Sequence, residues 1–322
     1  MIGVRRTTRV TLAAALACSW LTITASAQGP RMPMPLEPVG NSDEAVFPAY
    51  QGWGESLDGK SYYILMGYRN RNRRATVEIP VGPNNRIEPG GPDYGQPTVF
   101  EPGLHKTVFA IQVPKDFGTK KLTWTLVANG QSAVVTFYLN PEYNIDFFKE
   151  EANGNEAPKM RLTENDPMLV GPTAGAVQTL TGTVGQPVPL KMWASDAPPT
   201  EKNWEKVISS RQQRTTPPTP SQVAVVDGRV LGTPRAPAVA AAQEADLTAV
   251  WTKARGPGTV TVTPSGVPLF TGGDGSKVVE ASATATFSEP GEYLLRAEPV
   301  EIDDGFDGLC CFTFAHVKVV VK

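Results

Sequence analysis

The fold is decided by a stretch near the carboxyl end that reads Leu-Thr-Ala-Val-Trp-Thr-Lys-Ala-Arg-Gly-Pro-Gly-Thr-Val-Thr-Val over residues 247–262. A second stretch, Ala-Thr-Ala-Thr-Phe-Ser-Glu-Pro-Gly-Glu-Tyr-Leu-Leu-Arg-Ala, follows over residues 283–297. Small or apolar side chains alternate with polar ones in both, and each stretch contains a turn built from Pro and Gly. A period of two is typical of strands that bury one face. The two stretches therefore predict an antiparallel β-sandwich.

The same pattern of short β-rich runs separated by Gly, Pro and Asn begins much earlier in the chain. The predicted strands there span residues 61–68, 75–81, 106–113, 121–128 and 132–139. Alternation places Phe109 of the third run and Trp124 of the fourth on core faces. Asn129-Gly130 lies between the last two runs and is a strong hairpin signal, because both residues tolerate a positive φ. We expect an N-terminal antiparallel sandwich over residues 47–146.

The amino terminus has the three parts of an export signal over residues 1–27. Arg5, Arg6 and Arg9 precede an apolar run, and Ala25-Ser26-Ala27 forms a small-residue cleavage site. The apolar run is too short and too polar for a stable membrane span. We therefore expect an exported, periplasmic or extracellular protein, with the general secretory and twin-arginine routes both open.

The remaining chain divides by composition. Residues 28–46 contain four prolines and predict an extended linker, and residues 147–157 form an acidic linker before the second sandwich at 158–322. Residues 196–245 are rich in Pro and Ala and are far longer than an ordinary connection between strands. We interpret them as a flexible insertion in the second of two tandem antiparallel β-sandwiches, an all-β fold.

Charge limits the classes of partner. The chain has a net charge of −2, and the predicted signal removes three arginines and no acidic residue, so the mature protein is more acidic still. This balance argues against general affinity for nucleic acid or anionic lipid. No other run approaches the length of a membrane span, so no stable membrane insertion is expected.

Two adjacent cysteines, Cys310 and Cys311, are the only ones left after signal removal. Neighbouring Cα atoms lie about 3.8 Å apart, which is below the roughly 4.4–6.8 Å of relaxed disulfides. A vicinal bridge between them would therefore be strained. A vicinal bridge, free thiols and intermolecular pairing all remain open. Because no long-range disulfide can close, each sandwich must be held by its hydrophobic core.

The best candidate metal site is an acidic loop just before these cysteines, because crowded carboxylates on a Gly-containing loop suit Ca²⁺. The candidate ligands are Glu301, Asp303, Asp304 and Asp307. The spacing departs from an EF-hand, since Gly305 stands where an Asp is expected. The alternative is an acidic hairpin loop that keeps a sheet edge soluble.

One basic cluster and one set of aromatic residues are candidate binding surfaces. The cluster contains Arg69, Arg71, Arg73 and Arg74, and it could bind phosphate, sulfated glycan or lipopolysaccharide or be a solvated turn. The aromatic residues could stack on sugar rings, although a core position is expected for most of them. They are Trp53, Tyr62, Tyr63, Tyr68 and Tyr94.

Residues 158–322 resemble the PKD-type and bacterial immunoglobulin-like domains of exported proteins. The resemblance rests on Trp251, Gly256-Pro257-Gly258, Phe287 and Pro290-Gly291-x-Tyr293. It implies that the Trp lies in the core and that the Tyr follows a tight corner. It departs from antibody-like domains because Leu295 stands where their second disulfide cysteine would be. Such domains usually serve adhesion, spacing or binding, and the resemblance transfers no catalytic residue.

With the resemblance, these observations predict an all-β protein of two tandem immunoglobulin-like antiparallel β-sandwiches, the second with the Pro/Ala-rich insertion. We expect it to be a non-enzymatic exported protein that binds a partner or acts as an adhesive or structural spacer. The partner would be an unknown protein or a polysaccharide, and no cofactor other than Ca²⁺ is expected. His105 and His316 are the only histidines and belong to no catalytic motif, so we expect surface or edge positions for them. The alternative is a carbohydrate- or polymer-active enzyme, or its accessory module, using loop carboxylates. A third hypothesis is assembly through an exposed terminal strand at residues 317–321.

Overall fold

The computed structural model describes residues 40, 42–150, 154–197, 224–226, 229–231, 247–272, 275–301 and 311–322. The predicted signal, most of the predicted linker at 28–46 and most of the insertion lie outside these residues. Residues Gly40–Lys322 form one compact unit that contains two sandwiches. In the described part of the chain, no helix has the length and apolar character needed to cross a membrane.

The first sandwich is built from antiparallel strands that bury one face each. Its sheets have the orders β1-β2-β6 and β4-β7-β8, and β3 pairs with β5. The strands are β1 Val46–Glu55, β2 Ser61–Asn70, β3 Val77–Glu78, β4 Asn85–Glu88, β5 Val99–Phe100, β6 Gly103–Pro114, β7 Leu122–Ala128 and β8 Gln131–Phe137. Single 3₁₀ turns at Lys115–Phe117 and Pro141–Tyr143 follow β6 and β8.

The core of this sandwich confirms the predicted faces. Phe109 and Trp124 are both buried, and their rings meet edge to face with centroids 5.2 Å apart. Asn129 and Gly130 have φ values of 51° and 75°, as a type I′ hairpin turn requires. The strand predicted at 75–81 shrinks to Val77–Glu78, because Pro80 has no N–H to donate to a neighbouring strand.

The second sandwich contains ten strands in two five-stranded sheets, with orders β10-β9-β12-β18-β16 and β11-β20-β19-β15-β17. A short hairpin of β13 and β14 lies within the predicted insertion, between β12 and β15. The strands are β9 Lys159–Arg161, β10 Leu169–Val170, β11 Pro172–Gly182, β12 Val188–Ser195, β13 Ala224–Val226, β14 Arg229–Leu231, β15 Leu247–Arg255, β16 Val260–Thr263, β17 Gly266–Leu269, β18 Val279–Phe287, β19 Gly291–Glu301 and β20 Phe314–Val321.

The strand order of the second sandwich is that of an immunoglobulin-like domain. The rows β9-β12-β18-β16 and β20-β19-β15 match its two characteristic sheets, which hold strands A, B, E, D and G, F, C. Trp251 of β15 is buried in the core, and the Tyr293 hydroxyl donates a 2.7 Å hydrogen bond to the Glu289 carbonyl oxygen. That bond closes the corner between β18 and β19. The predicted all-β fold of tandem immunoglobulin-like sandwiches is confirmed.

The carboxyl-terminal strand is not a sheet edge, and the third hypothesis was wrong on this point. β20 lies between β19 and β11, which pairs with it in parallel. Val317, Val319 and Val321 are consequently buried. The outer hydrogen-bonding groups of β20 are taken by β11, so this strand offers no free edge for assembly.

Candidate functional site

The predicted basic cluster begins near the end of β2, at Arg69, and continues in the loop that follows the strand. Arg69, Arg73 and Arg74 are exposed, whereas Arg71 is half-buried and its Nε lies 3.7 Å from a Glu44 carboxylate oxygen. Three of the four predicted cations are therefore accessible to a ligand, and the fourth faces an acidic side chain. Binding by this cluster stays a prediction.

The asparagines between these arginines have structural roles. Asn70 Nδ2 donates to the carbonyl oxygens of Ala75 and Phe100, each at 2.9 Å. Asn72 Nδ2 donates to Asn70 Oδ1 at 2.7 Å, and Asn72 Oδ1 accepts from the Glu44 amide at 2.8 Å. Both asparagines are buried. The alternation of Arg and Asn therefore places cations outside and a hydrogen-bonded turn inside. The turn also attaches residue 44, near the end of the predicted linker, to the sandwich.

The candidate calcium ligands are only partly described. Glu301 ends β19, and one of its carboxylate oxygens accepts a 2.7 Å hydrogen bond from Asn155 Nδ2. Asp303, Asp304 and Asp307 lie outside the described residues. Within the described residues, no group of three or more His, Cys, Asp or Glu side chains could hold a metal ion. Calcium binding remains a prediction.

The cysteine pair is also half described. Cys311 is buried and takes part in a disulfide, and its sulfur lies 3.4 Å from the Asn155 carbonyl oxygen. Cys310 lies outside the described residues, so a vicinal bridge and an intermolecular bridge both stay open for Cys311.

Neither histidine is fully exposed. His105 is half-buried on β6 and stacks on Tyr68, with ring centroids 4.8 Å apart. His316 is buried on β20, so its predicted surface or edge position was wrong. Burial, with smaller contributions from the Arg296 and Arg255 charges, lowers the pKa of His316 to about 3. This imidazole is therefore neutral at physiological pH.

Polar contacts join the two sandwiches along one side. Arg255 of the second sandwich holds both carboxylate oxygens of Asp93 in the first, at 2.7 and 2.9 Å, and its Nε donates to the Gln96 carbonyl oxygen at 2.7 Å. The hydrogen bonds from Arg255 lower the pKa of Asp93. The Thr98 amide donates to the Ala254 carbonyl oxygen at 3.0 Å, which links the two backbones directly. Bidentate Arg–carboxylate geometry makes this contact directional as well as attractive.

An apolar cluster joins the sandwiches elsewhere. Leu65 and Ala110 on the outer face of the first sandwich are buried together with Phe147 of the predicted 147–157 linker and Phe314 of the second sandwich. Phe147 also stacks on Phe312, with centroids 5.9 Å apart. The beginning of the predicted linker is therefore part of the packed interface.

A cleft of about 240 Å³ lies between the sandwiches. Its basic side chains are already engaged, because Lys253 pairs with Glu78 at 3.0 Å and Arg296 pairs with Glu298. Arg296 also donates to the Thr107 carbonyl oxygen of the first sandwich at 3.1 Å. These bonds make the cleft part of the interface between the sandwiches.

A second cavity, of about 310 Å³, lies at one end of the first sandwich. We name it the Trp53 groove. Its aromatic walls and polar rim are formed by Trp53, Tyr62, Phe148, Glu55, Asn144 and Asp146. Two of the predicted stacking residues, Trp53 and Tyr62, therefore lie together, whereas Tyr68 is buried in the core and Tyr63 packs on Phe147. Tyr94 is half-buried on a separate loop, where its hydroxyl donates to the Pro89 carbonyl oxygen at 2.5 Å.

The groove lies where residues 143–147, which we call the strap, run beside β1 at close range, with a parallel β-bridge between Trp53 and Asn144. The Ile145 amide donates to the Trp53 carbonyl oxygen at 2.9 Å. A Cβ on Gly54 would lie 2.5 Å from the Ile145 carbonyl oxygen and 2.5 Å from a Phe147 ring carbon. Glycine is therefore required beside Trp53. The sequence Gly-Trp-Gly at 52–54 is the local signal for this close approach.

Loop carboxylates give no support to the enzyme alternative in the described part of the chain. Three carboxyl groups there have a pKa that departs from the ordinary value, namely those of Asp58, Asp93 and Glu280. Each pKa is lowered, because the carboxylate accepts hydrogen bonds from neighbouring groups. A general acid requires a raised pKa.

No family model matches the chain, and no curated protein matches it. Among solved structures, the chain is similar to the D00-D0 domain of intimin, at 13% identity over 86% of this chain and 100% of that one, with a TM-score of 0.24. It is also similar to the D0-D1 domain of intimin, at 10% identity over 86% of this chain and 97% of that one, again with a TM-score of 0.24. Both scores are too low to support a functional inference.

Proposed function

We propose that this chain is an exported, non-enzymatic protein of the bacterial envelope or the extracellular space. It acts there as a binding or spacer unit. The observation that carries the proposal is the interface between the sandwiches. It combines the bidentate pair of Arg255 and Asp93, a direct backbone hydrogen bond and an apolar cluster around Phe147. Contacts of these three kinds hold tandem domains at one relative orientation, as a spacer or a presenting scaffold requires.

Small-angle X-ray scattering of the purified protein tests this proposal. A fixed orientation gives a scattering curve that one arrangement of the two sandwiches reproduces. A curve that requires a broad ensemble of arrangements would contradict the spacer function.

Export is tested separately, by expressing the full chain in a Gram-negative host. Mass spectrometry of the periplasmic and secreted fractions should find a mature chain beginning at Gln28, because Ala25-Ser26-Ala27 is the predicted cleavage site. Recovery of only the uncleaved chain in the cytoplasm would overturn the proposed location.

A further inference from the structure

We propose that the Trp53 groove binds a neutral sugar ring of a polysaccharide. This proposal deepens the proposed function: it rests on the exported location for its ligand, and it names the site and the ligand class.

The walls of the groove suit the apolar faces of a sugar ring. Trp53 and Tyr62 meet edge to face with centroids 5.1 Å apart, and both are half-buried, so part of each ring remains accessible. The Trp53 indole N–H donates to the Asn140 carbonyl oxygen at 2.7 Å, which holds the ring in one orientation. Phe148 adds a third aromatic surface. An aromatic wall held in place loses little entropy when a ligand packs on it.

The rim of the groove is rich in hydrogen-bond acceptors. Glu55, Asn144 and Asp146 are all exposed there. One Asp146 oxygen accepts from the amides of Phe148 and Lys149, at 2.8 and 3.1 Å, which fixes the carboxylate beside the groove. A carboxylate has about four acceptor positions, so Asp146 retains capacity for a ligand. Sugar hydroxyls are donors that match such a rim.

Charge separates a neutral sugar from two other ligand classes. A cationic ligand would compete with Lys115, whose Nζ lies 4.1 Å from the Tyr62 ring centroid and 2.5 Å from a Glu55 oxygen. An anionic ligand would face the carboxylates of Glu55 and Asp146, while the Lys115 charge is already paired. A neutral polyol neither competes with the Lys115 charge nor is repelled by the carboxylates.

The size of the groove is consistent with one ring of a longer chain. Its volume of about 310 Å³ is at the small end of ligand pockets, which range over roughly 300–1,000 Å³.

The test is titration of the purified protein with cellohexaose, hexa-N-acetylchitohexaose, a galacturonate hexamer and choline. We follow the Trp53 indole N–H resonance, assigned with Trp53→Phe. We expect saturable shifts with at least one of the two neutral hexamers and weaker or no shifts with the galacturonate hexamer and choline. Trp53→Ala should weaken the binding of the neutral hexamer at least tenfold, and Asn144→Ala about threefold.

Trp193→Ala is the matched control, because Trp193 is a half-buried aromatic residue of the second sandwich, flanked by Lys191 and Arg161 and outside the groove. It should leave the affinity unchanged. If circular dichroism indicates that Trp53→Ala does not fold, the same titration is made with the exposed variants Asn144→Ala and Glu55→Gln, which should weaken the binding of the neutral hexamer. Three outcomes would overturn the proposal: no saturable binding of either neutral hexamer, tighter binding of the galacturonate hexamer or choline, or an equal loss in Trp193→Ala. None of them bears on signal cleavage or scattering, so this proposal can fail separately from the proposed function.

Discussion

At the scale of single residues, Asn85 is the most consequential polar side chain of the first core. It is fully buried, and its Nδ2 donates to the carbonyl oxygens of Ile79 and Pro97 at 2.9 and 2.8 Å. Its Oδ1 accepts from Trp124 Nε1 at 3.0 Å. One side chain thus satisfies three buried groups from three different segments. Such a network specifies one packing of the core, because each partner would be left unsatisfied in any other.

We expect Asn85→Ala to lower the free energy of unfolding by about 3 kcal/mol or more, because each buried group left without a partner costs about 1–3 kcal/mol. Urea denaturation followed by Trp fluorescence measures the loss. The neighbouring exposed variant Asn84→Ala is the control and should change stability by less than about 0.5 kcal/mol. Equal effects of the two variants would contradict this role for Asn85.

His316 predicts a dependence of stability on pH. Its pKa is lowered to about 3 in the folded state, whereas an unfolded histidine has a pKa of about 6.5. Between these values the unfolded chain binds a proton that the folded chain does not, so stability falls as the pH decreases from 6.5 toward 3. His316→Gln should make this fall shallower in urea titrations at several pH values. A wild-type slope in His316→Gln would refute the assignment.

At the scale of elements, the packing of the strap, residues 143–147, against β1 depends on the absence of a side chain at Gly54. A methyl group there would overlap the Ile145 carbonyl oxygen and the Phe147 ring. We expect Gly54→Ala to destabilise the protein by about 1–3 kcal/mol, in the range of overpacking substitutions. Hydrogen exchange at the Ile145 amide should also become faster, because that amide donates to Trp53.

Gly266→Ala is the control for this substitution. Gly266 lies on the edge strand β17, and its added Cβ would meet only a Thr248 methyl group, at 3.0 Å, and a Val250 methyl group, at 3.8 Å. Side-chain methyl groups can move aside, whereas a backbone oxygen cannot. A larger loss of stability in Gly266→Ala than in Gly54→Ala would contradict the role of the strap.

The elements that could be predicted from sequence are those whose signal is local. Alternation placed Phe109 and Trp124 in the core, and Asn129-Gly130 indicated its hairpin, because these patterns depend only on neighbours in sequence. The core position of Trp251 was implied by the resemblance to bacterial immunoglobulin-like domains. β1 was missed before residue 61 because Pro48 and its glycines look like turn residues, although an edge strand tolerates proline. The parallel pairing of β11 with β20 was missed because the local sequence of a strand does not identify a partner that is far away in the chain.

The candidate site shows the same limit. The stacking role of Trp53 and Tyr62 could be raised from residue type alone. Their place in a groove could not, because Asn144 and Phe148 are more than eighty residues away in sequence. The basic cluster was visible as a charge pattern. The network of Asn70 and Asn72 beneath it was not, since amide partners follow from three-dimensional position.

At the scale of the whole molecule, the interface couples two bodies that each have a core of their own. The second core contains Trp251 and Tyr293, and the first contains Trp124 and Phe109. The apolar part of the interface is contributed largely by the predicted linker and by the residues that precede β20 and begin it. The segment that joins the sandwiches in sequence therefore also packs them together. Substitutions in this segment would change both the link between the sandwiches and their relative orientation.

The polar part of the interface can be measured with a double-mutant cycle on Asp93→Ala and Arg255→Ala. We expect a coupling energy of about 0.5–1 kcal/mol in urea denaturation at low salt, because the pair is bidentate but partly exposed. The folded pKa of Asp93 is lowered below its ordinary value of 3.8. The coupling should therefore be complete above that pH and disappear as the pH falls through the lowered value.

The matched control is a second cycle, Glu292→Ala and Lys318→Ala, which breaks a 2.8 Å ion pair within the second sandwich. Both cycles should weaken in high salt. Of these two pairs, only Asp93 and Arg255 join the sandwiches, so only the Asp93 cycle should broaden the scattering ensemble. An unchanged ensemble in Arg255→Ala would assign the orientation to the remaining contacts, which include the apolar cluster, the backbone hydrogen bond between Thr98 and Ala254 and the pair of Lys253 and Glu78.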